Sequence, residues 1–144
     1  MKEITTGQKM RTASPTILVI ALAFLSSCSS ANNPAMTGTW LFALMPTGSA
    51  FVALEVTANL TQAGNQITGN ASLSGNPPSC GNEALISGTV KGNALTLQLT
   101  QSQSVIDFTG TANLAFTSAS GTYTASAGSC LLNGGTGSWS AALE

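Results

Sequence analysis

The sequence predicts an all-β domain, an eight-stranded antiparallel up-and-down barrel, with a flattened barrel or β-sandwich as the alternative. Three observations predict it. From Thr37 onward apolar and polar residues alternate in short runs, the period of a half-buried strand. These runs are broken by Gly, Asn and Ser at intervals near those of a small barrel or sandwich, and no long helical pattern interrupts them.

Taken in order, the first strand runs from Thr37 to Met45 and opens with Gly38-Thr39-Trp40. The second, Ala50 to Gln62, turns Val52, Leu54, Val56 and Leu60 inward and leaves Glu55 on the outer face. The third, Gln66 to Ser74, follows the tight connection Ala63-Gly64-Asn65-Gln66 and points Ala71 inward. Glu83 to Lys91 forms the fourth, with Ala84 and Gly88 inward, and Lys91-Gly92-Asn93-Ala94 is a second tight hairpin. The fifth strand, Ala94 to Gln101, carries Leu95, Leu97 and Leu99 on one face. The sixth, Val105 to Phe116, carries Ile106, Phe108, Ala112, Leu114 and Phe116, with Asp107 outward. Ser120 to Ala127 supplies the seventh strand and Tyr123, and Gly135 to Leu143 the eighth and Trp139. An apolar residue, then Ser or Thr, then Gly recurs at Ile67-Thr68-Gly69, Ile86-Ser87-Gly88 and Phe108-Thr109-Gly110, where glycine inside a strand marks a bend or bulge. Small inward residues either leave space inside or reflect a narrow barrel.

Parity of the connections follows from the meander. The short turns at Gly64-Asn65, Gly92-Asn93 and Thr117 to Ala119 share one end with both ends of the domain. Longer connections, Asn76 to Gly81 and Gly128 to Gly134, share the other end with Pro46 to Ser49 and Gln101 to Ser104, and they carry Cys80 and Cys130.

Residues 1–27 have the form of an export signal. Lys2, Lys9 and Arg11 against a lone Glu3 precede the apolar run Ile17 to Leu25, which is too short for the roughly 20 residues of a membrane span. Leu25-Ser26-Ser27-Cys28 then resembles the bacterial lipobox, in which the signal is cut before a cysteine that becomes diacylated. The resemblance implies lipidation of Cys28 and, because Ser29 stands where an aspartate would retain the protein at the inner membrane, delivery to the outer membrane of a Gram-negative cell. Such an acylated cysteine exceeds the two signals that stable membrane anchoring requires. An ordinary signal peptide that happens to contain a cysteine is the competing reading. Residues 28–36 form the lipidated tether and residues 37–144 the barrel domain, with Ser29 to Ala35 spanning on the order of 15 Å as a random coil.

The chain beyond the cut keeps 117 of the 144 residues and has Lys91 as its single base against Glu55, Glu83, Asp107 and Glu144, a formal net charge of −3. That balance excludes a phosphate-tracking nucleic-acid surface and a polybasic lipid patch, so the membrane partner is met through the anchor at Cys28. Once Cys28 is acylated, Cys80 and Cys130 form an even pair in an exported chain, and a disulfide between them is expected, two free thiols being the alternative. Closing a loop of about 50 residues, it would contribute roughly 4 kcal/mol.

Catalysis is not expected, and neither is a metal or a cofactor. The chain has no histidine, two cysteines cannot complete a tetrahedral zinc shell, and Lys91 sits in a hairpin turn where it cannot activate a serine. Glu83 alone of the carboxylates lies near a plausible cleft.

Gly38-Thr39-Trp40 resembles the Gly-x-Trp signature of the calycins, the lipocalin and avidin type of barrel, in which the tryptophan closes the floor. The resemblance implies a similar eight-stranded barrel over residues 37–144, with Gly137-Ser138-Trp139-Ser140 lying beside the first strand at closure. Trp40, Trp139 and Tyr123 are then closure aromatics or ligand contacts. Two functions follow from different classes. One is a structural or protein-interaction module of the cell envelope whose barrel is filled by its own side chains. The other is a binding protein that takes a small, largely apolar or uncharged ligand in the barrel mouth.

Overall fold

The computed structural model describes residues 35–74, 80–102, 104–126, 132 and 134–144. Eight strands close into one antiparallel barrel in the order of the chain: β1 (Gly38–Pro46), β2 (Leu54–Ala63), β3 (Gln66–Ser74), β4 (Glu83–Lys91), β5 (Ala94–Gln101), β6 (Ser104–Ala112), β7 (Ser118–Ala125) and β8 (Gly135–Leu143). The sandwich alternative is therefore set aside. Closure is made by β1 against β8, with Trp40 opposite Leu143, Leu44 opposite Trp139 and Pro46 opposite Gly137.

The inward face follows period two. On β2, Leu54, Val56, Ala58 and Leu60 are buried, and on β5 Leu95, Leu97 and Leu99 are buried, between exposed neighbours. Two-residue turns join β2 to β3 and β4 to β5 at the end called here the floor, each with glycine in its first position at φ 59° (Gly64) and 61° (Gly92), as a type II′ hairpin requires. The mouth is the opposite end, where β1 meets β2 and β5 meets β6.

Two strands are shorter than the alternation suggests, for local reasons. The second strand begins at Leu54, not Ala50, because the Ser49 hydroxyl bonds the backbone of Phe51 at both N–H (3.1 Å) and carbonyl (3.2 Å). Such side-chain bonds offer the backbone an alternative to the ladder. Val52, expected inward, is instead 46% exposed, and Phe51 is 81% exposed.

The sixth strand ends at Ala112, not Phe116. The Asn113 side chain folds the chain over, accepting from the N–H groups of Thr117 (2.9 Å) and Ser118 (3.3 Å) and donating to the Thr117 hydroxyl (2.9 Å). Phe116 still reaches the core, but from a turn with φ 53°, and Leu114, expected inward, points out and is 86% exposed. Met36, placed by the sequence in the tether, is fully buried as part of the core.

Candidate functional site

The barrel interior is the first place to look for a ligand, and aromatic rings occupy it. Trp139 lies 5.6 Å from Phe42 and 5.8 Å edge-on to Phe108, Phe42 and Phe108 are 6.0 Å apart, and Tyr123 follows at 6.4 Å from Phe108. These are the separations at which aromatic pairs attract. The Trp139 indole N–H is shared between the carbonyls of Thr109 (3.2 Å) and Thr122 (3.1 Å), which fixes the ring against the β6–β7 pair.

The inward glycines do not leave space. Gly110 and Gly121 face each other across β6 and β7, and a Cβ on Gly110 would come within 2.7 Å of the Trp139 ring. A Cβ on Gly137 would meet the Tyr123 ring at 2.6 Å, one on Gly69 would meet Leu60 at 2.8 Å and one on Gly88 would meet Leu97 at 2.7 Å. At Gly69, Gly88, Gly110 and Gly137 the missing side chain is replaced by a neighbour's large one, the way aromatic and aliphatic residues rescue strand glycines in coiled sheets. The recurrent apolar-hydroxyl-Gly triplet thus marks where large side chains are admitted.

The residues singled out by sequence fall in different places. Trp40 is fully buried four residues nearer the floor than Leu44, the register partner of Trp139, and its indole N–H has no acceptor among the described residues. Cys80 is half-buried on the mouth side just before β4, while Cys28 and Cys130 lie outside the described residues. Tyr123 is buried toward the mouth, and burial raises its phenol above the ordinary 10.0.

That shift gives a clean measurement, because Tyr123 is the single tyrosine of the chain. A raised folded-state value means that its contribution to stability is complete below the unfolded-state value and is lost as pH rises through the folded one. Ultraviolet phenolate titration is expected to show a midpoint above 10.0 in the native protein and an ordinary midpoint in denaturant. Coincident midpoints would show that the ring is not desolvated.

At the mouth, two polar side chains are buried, Gln101 and Ser104. The Gln101 amide donates to the Gly81 carbonyl at 2.9 Å, tying the β5–β6 turn to the segment entering β4.

Outside the barrel the wall is polar and nearly uncharged. Paired hydroxyls and amides run across the strands, as between Thr109 and Thr122 (3.2 Å), Thr39 and Asn59 (2.9 Å), and Gln98 and Asp107 (2.8 Å). Two hollows lie on this wall. One, about 540 Å³, sits below the β1–β2 loop between Pro46, Thr47, Thr124 and Thr136. The other, about 740 Å³, crosses β2 to β5 among Asn59, Asn70, Glu83 and Thr100, with Leu85 standing 62% exposed in it. Both hollows are lined mainly by side chains that point away from the core. Among the described residues no three His, Cys, Asp or Glu side chains cluster as metal ligands would.

No protein-family model, curated protein or solved structure matches the chain. The eight-stranded closed barrel is an architecture shared by unrelated proteins and carries no family assignment by itself. Sequence reasoning placed Val52 and Leu114 inward, and the signal for the exposure of each was a Ser or Asn placed to end a strand early.

Proposed function

We propose that this protein is a lipid-anchored module of the bacterial cell envelope, held to the outer membrane through Cys28, whose barrel serves as a structural or protein-interaction domain. The observation that carries this reading is the packed interior: the Trp139, Phe42 and Phe108 cluster stands where a barrel ligand would bind. A filled barrel offers its partners an outer wall and its loops. Among the described residues, Phe51 and Val52 are exposed apolar groups at the mouth rim.

Cys80 and Cys130 pair as a disulfide in this reading. The connections that hold them both leave the mouth, since β3 and β7 end there and β4 and β8 start there. Bridging those connections would brace the rim across strands that lie on opposite sides of the ring. The role requires no catalytic group. It shares with the calycins a barrel plan and the Gly38-Thr39-Trp40 start.

The experiment is mass spectrometry of the full chain after expression in a Gram-negative host and extraction from membranes, under native and then denaturing conditions. The expected species begins at Cys28, carries the diacylglyceryl and acyl masses, and is two hydrogens lighter than the reduced chain. Cys28→Ala is expected to abolish the acyl mass and release the protein from the membrane fraction. A stoichiometric small molecule lost on denaturation would overturn the filled-barrel reading in favour of a ligand-binding protein. An unacylated chain would overturn the anchor.

A further inference from the structure

We propose that the floor of the barrel is a lipid-contact surface, with Leu114 as its apolar foot on the bilayer that holds the anchor. The proposal rests on the acylation of Cys28 described above. In the β6–β7 turn Asn113 makes three side-chain bonds to Thr117 and Ser118, and its carbonyl accepts from the Phe116 N–H at 3.0 Å. Phe116 adopts φ 53°, a conformation that bulky residues rarely take, and drives its own ring into the core. The same turn leaves Leu114 at 86% exposure, so a leucine is held outward by a hydrogen-bonded frame.

One exposed leucine is ordinary on a protein surface. Two independent observations give this one an occupant. The first is the point at which the chain enters the fold. Met36 is fully buried, its N–H donates to the Gln62 side chain at 2.8 Å, and the Thr37 hydroxyl accepts from the Gln62 N–H at 3.0 Å. The chain is therefore fastened at the floor, beside the β2–β3 turn. From Cys28 to Met36 is eight residues, at most about 28 Å when fully extended, and a barrel built from nine-residue, tilted strands is itself roughly 20 to 25 Å tall. The mouth could meet the same bilayer only with the tether stretched along the whole wall.

The second observation is the distribution of charge along the barrel axis. Glu55, Glu83 and Asp107 stand on the mouth-side part of β2, β4 and β6. Lys91, the single base after Cys28, is exposed at the floor end of β4, where Glu144 is the one acidic side chain. An anionic lipid surface repels the mouth end more strongly than the floor. Chain entry, charge and the exposed leucine all select the same end.

The test uses the acylated full chain placed in phosphatidylethanolamine and phosphatidylglycerol vesicles, part of whose acyl chains are brominated. Leu114→Trp at the floor and Phe51→Trp at the mouth each add one tryptophan to an exposed site, so neither disturbs the core, and vesicle flotation is recorded for both. The proposal expects L114W to lose most of its added emission to bromine quenching, with a blue shift, while F51W keeps its emission. Flotation of both variants with L114W unquenched, or with F51W quenched as much, would overturn the lipid-contact surface and leave the anchor standing. A blue shift of L114W that grows with protein concentration and not with lipid would assign the leucine to a second copy of the chain, which also overturns it. Failure of both variants to float would overturn the anchor, and the proposal with it.

Discussion

Trp139→Ala is expected to destabilise the barrel by about 3–5 kcal/mol, read as a shift of the denaturant midpoint. The indole spans the centre of the core, touching Phe42 and Phe108, and it fills the gap above Gly110. Truncation removes those contacts together. Trp139→Phe also discards an N–H bonded to two carbonyls, whereas Trp40→Phe discards an N–H that has no acceptor. An unmade buried hydrogen bond costs about 1–3 kcal/mol, and removing the donor recovers part of what the smaller ring loses in packing. Trp40→Phe is therefore expected to be the milder of the two. Equal midpoints for the two phenylalanine variants would mean that the shared N–H contributes nothing measurable.

Gly121→Ala is the second large effect. The added Cβ would strike the Thr109 carbonyl oxygen and come within 2.6 Å of the Gly110 Cα, so β6 and β7 must separate where Trp139 lies across them. Overpacking of this kind typically costs about 1–3 kcal/mol, and the obstacle here is backbone, which cannot swing aside as a side chain can. Gly64→Ala is the control. Its Cβ would meet nothing within 4 Å, and only the φ of 59° penalises it, about 1 kcal/mol. Near-ultraviolet circular dichroism should separate the two, since displacement of the Trp139 ring alters the aromatic signal in G121A and not in G64A. An unchanged signal and midpoint for G121A would contradict the close approach of the two strands.

Much of the architecture was legible in the sequence because alternation is a direct image of a sheet with one buried face. The limits of β3, β4, β5 and β8 coincide with those read from Gln66 to Ser74, Glu83 to Lys91, Ala94 to Gln101 and Gly135 to Leu143. Alternation failed where it ran on beyond the ladder. Val52 and Leu114 continue the inward phase of their strands in sequence, and both end up outside because a single hydroxyl, Ser49, or a single amide, Asn113, diverts the backbone first. The candidate site was less legible for a related reason. Whether small inward residues leave a cavity depends on which side chain leans over them, and the cover of Gly137 by Tyr123 or of Gly110 by Trp139 is a relation between strands far apart in the chain. Composition showed that charge chemistry was scarce. It could not show that the remaining aromatic groups were spent on one another.

The seam between β1 and β8 has a consequence for how the protein comes into being. Glu144 N–H donates to the Thr39 carbonyl at 2.9 Å, so the last described residue completes the pairing of the first strand. A chain synthesised from its N-terminus can zip β1 to β7 in order as they emerge. Throughout that interval one side of β1 offers a row of unpaired N–H and C=O groups, the kind of edge on which chains aggregate. Only the arrival of β8 removes it. The vulnerable period of the barrel is thus set by the interval between the emergence of β7 and that of β8.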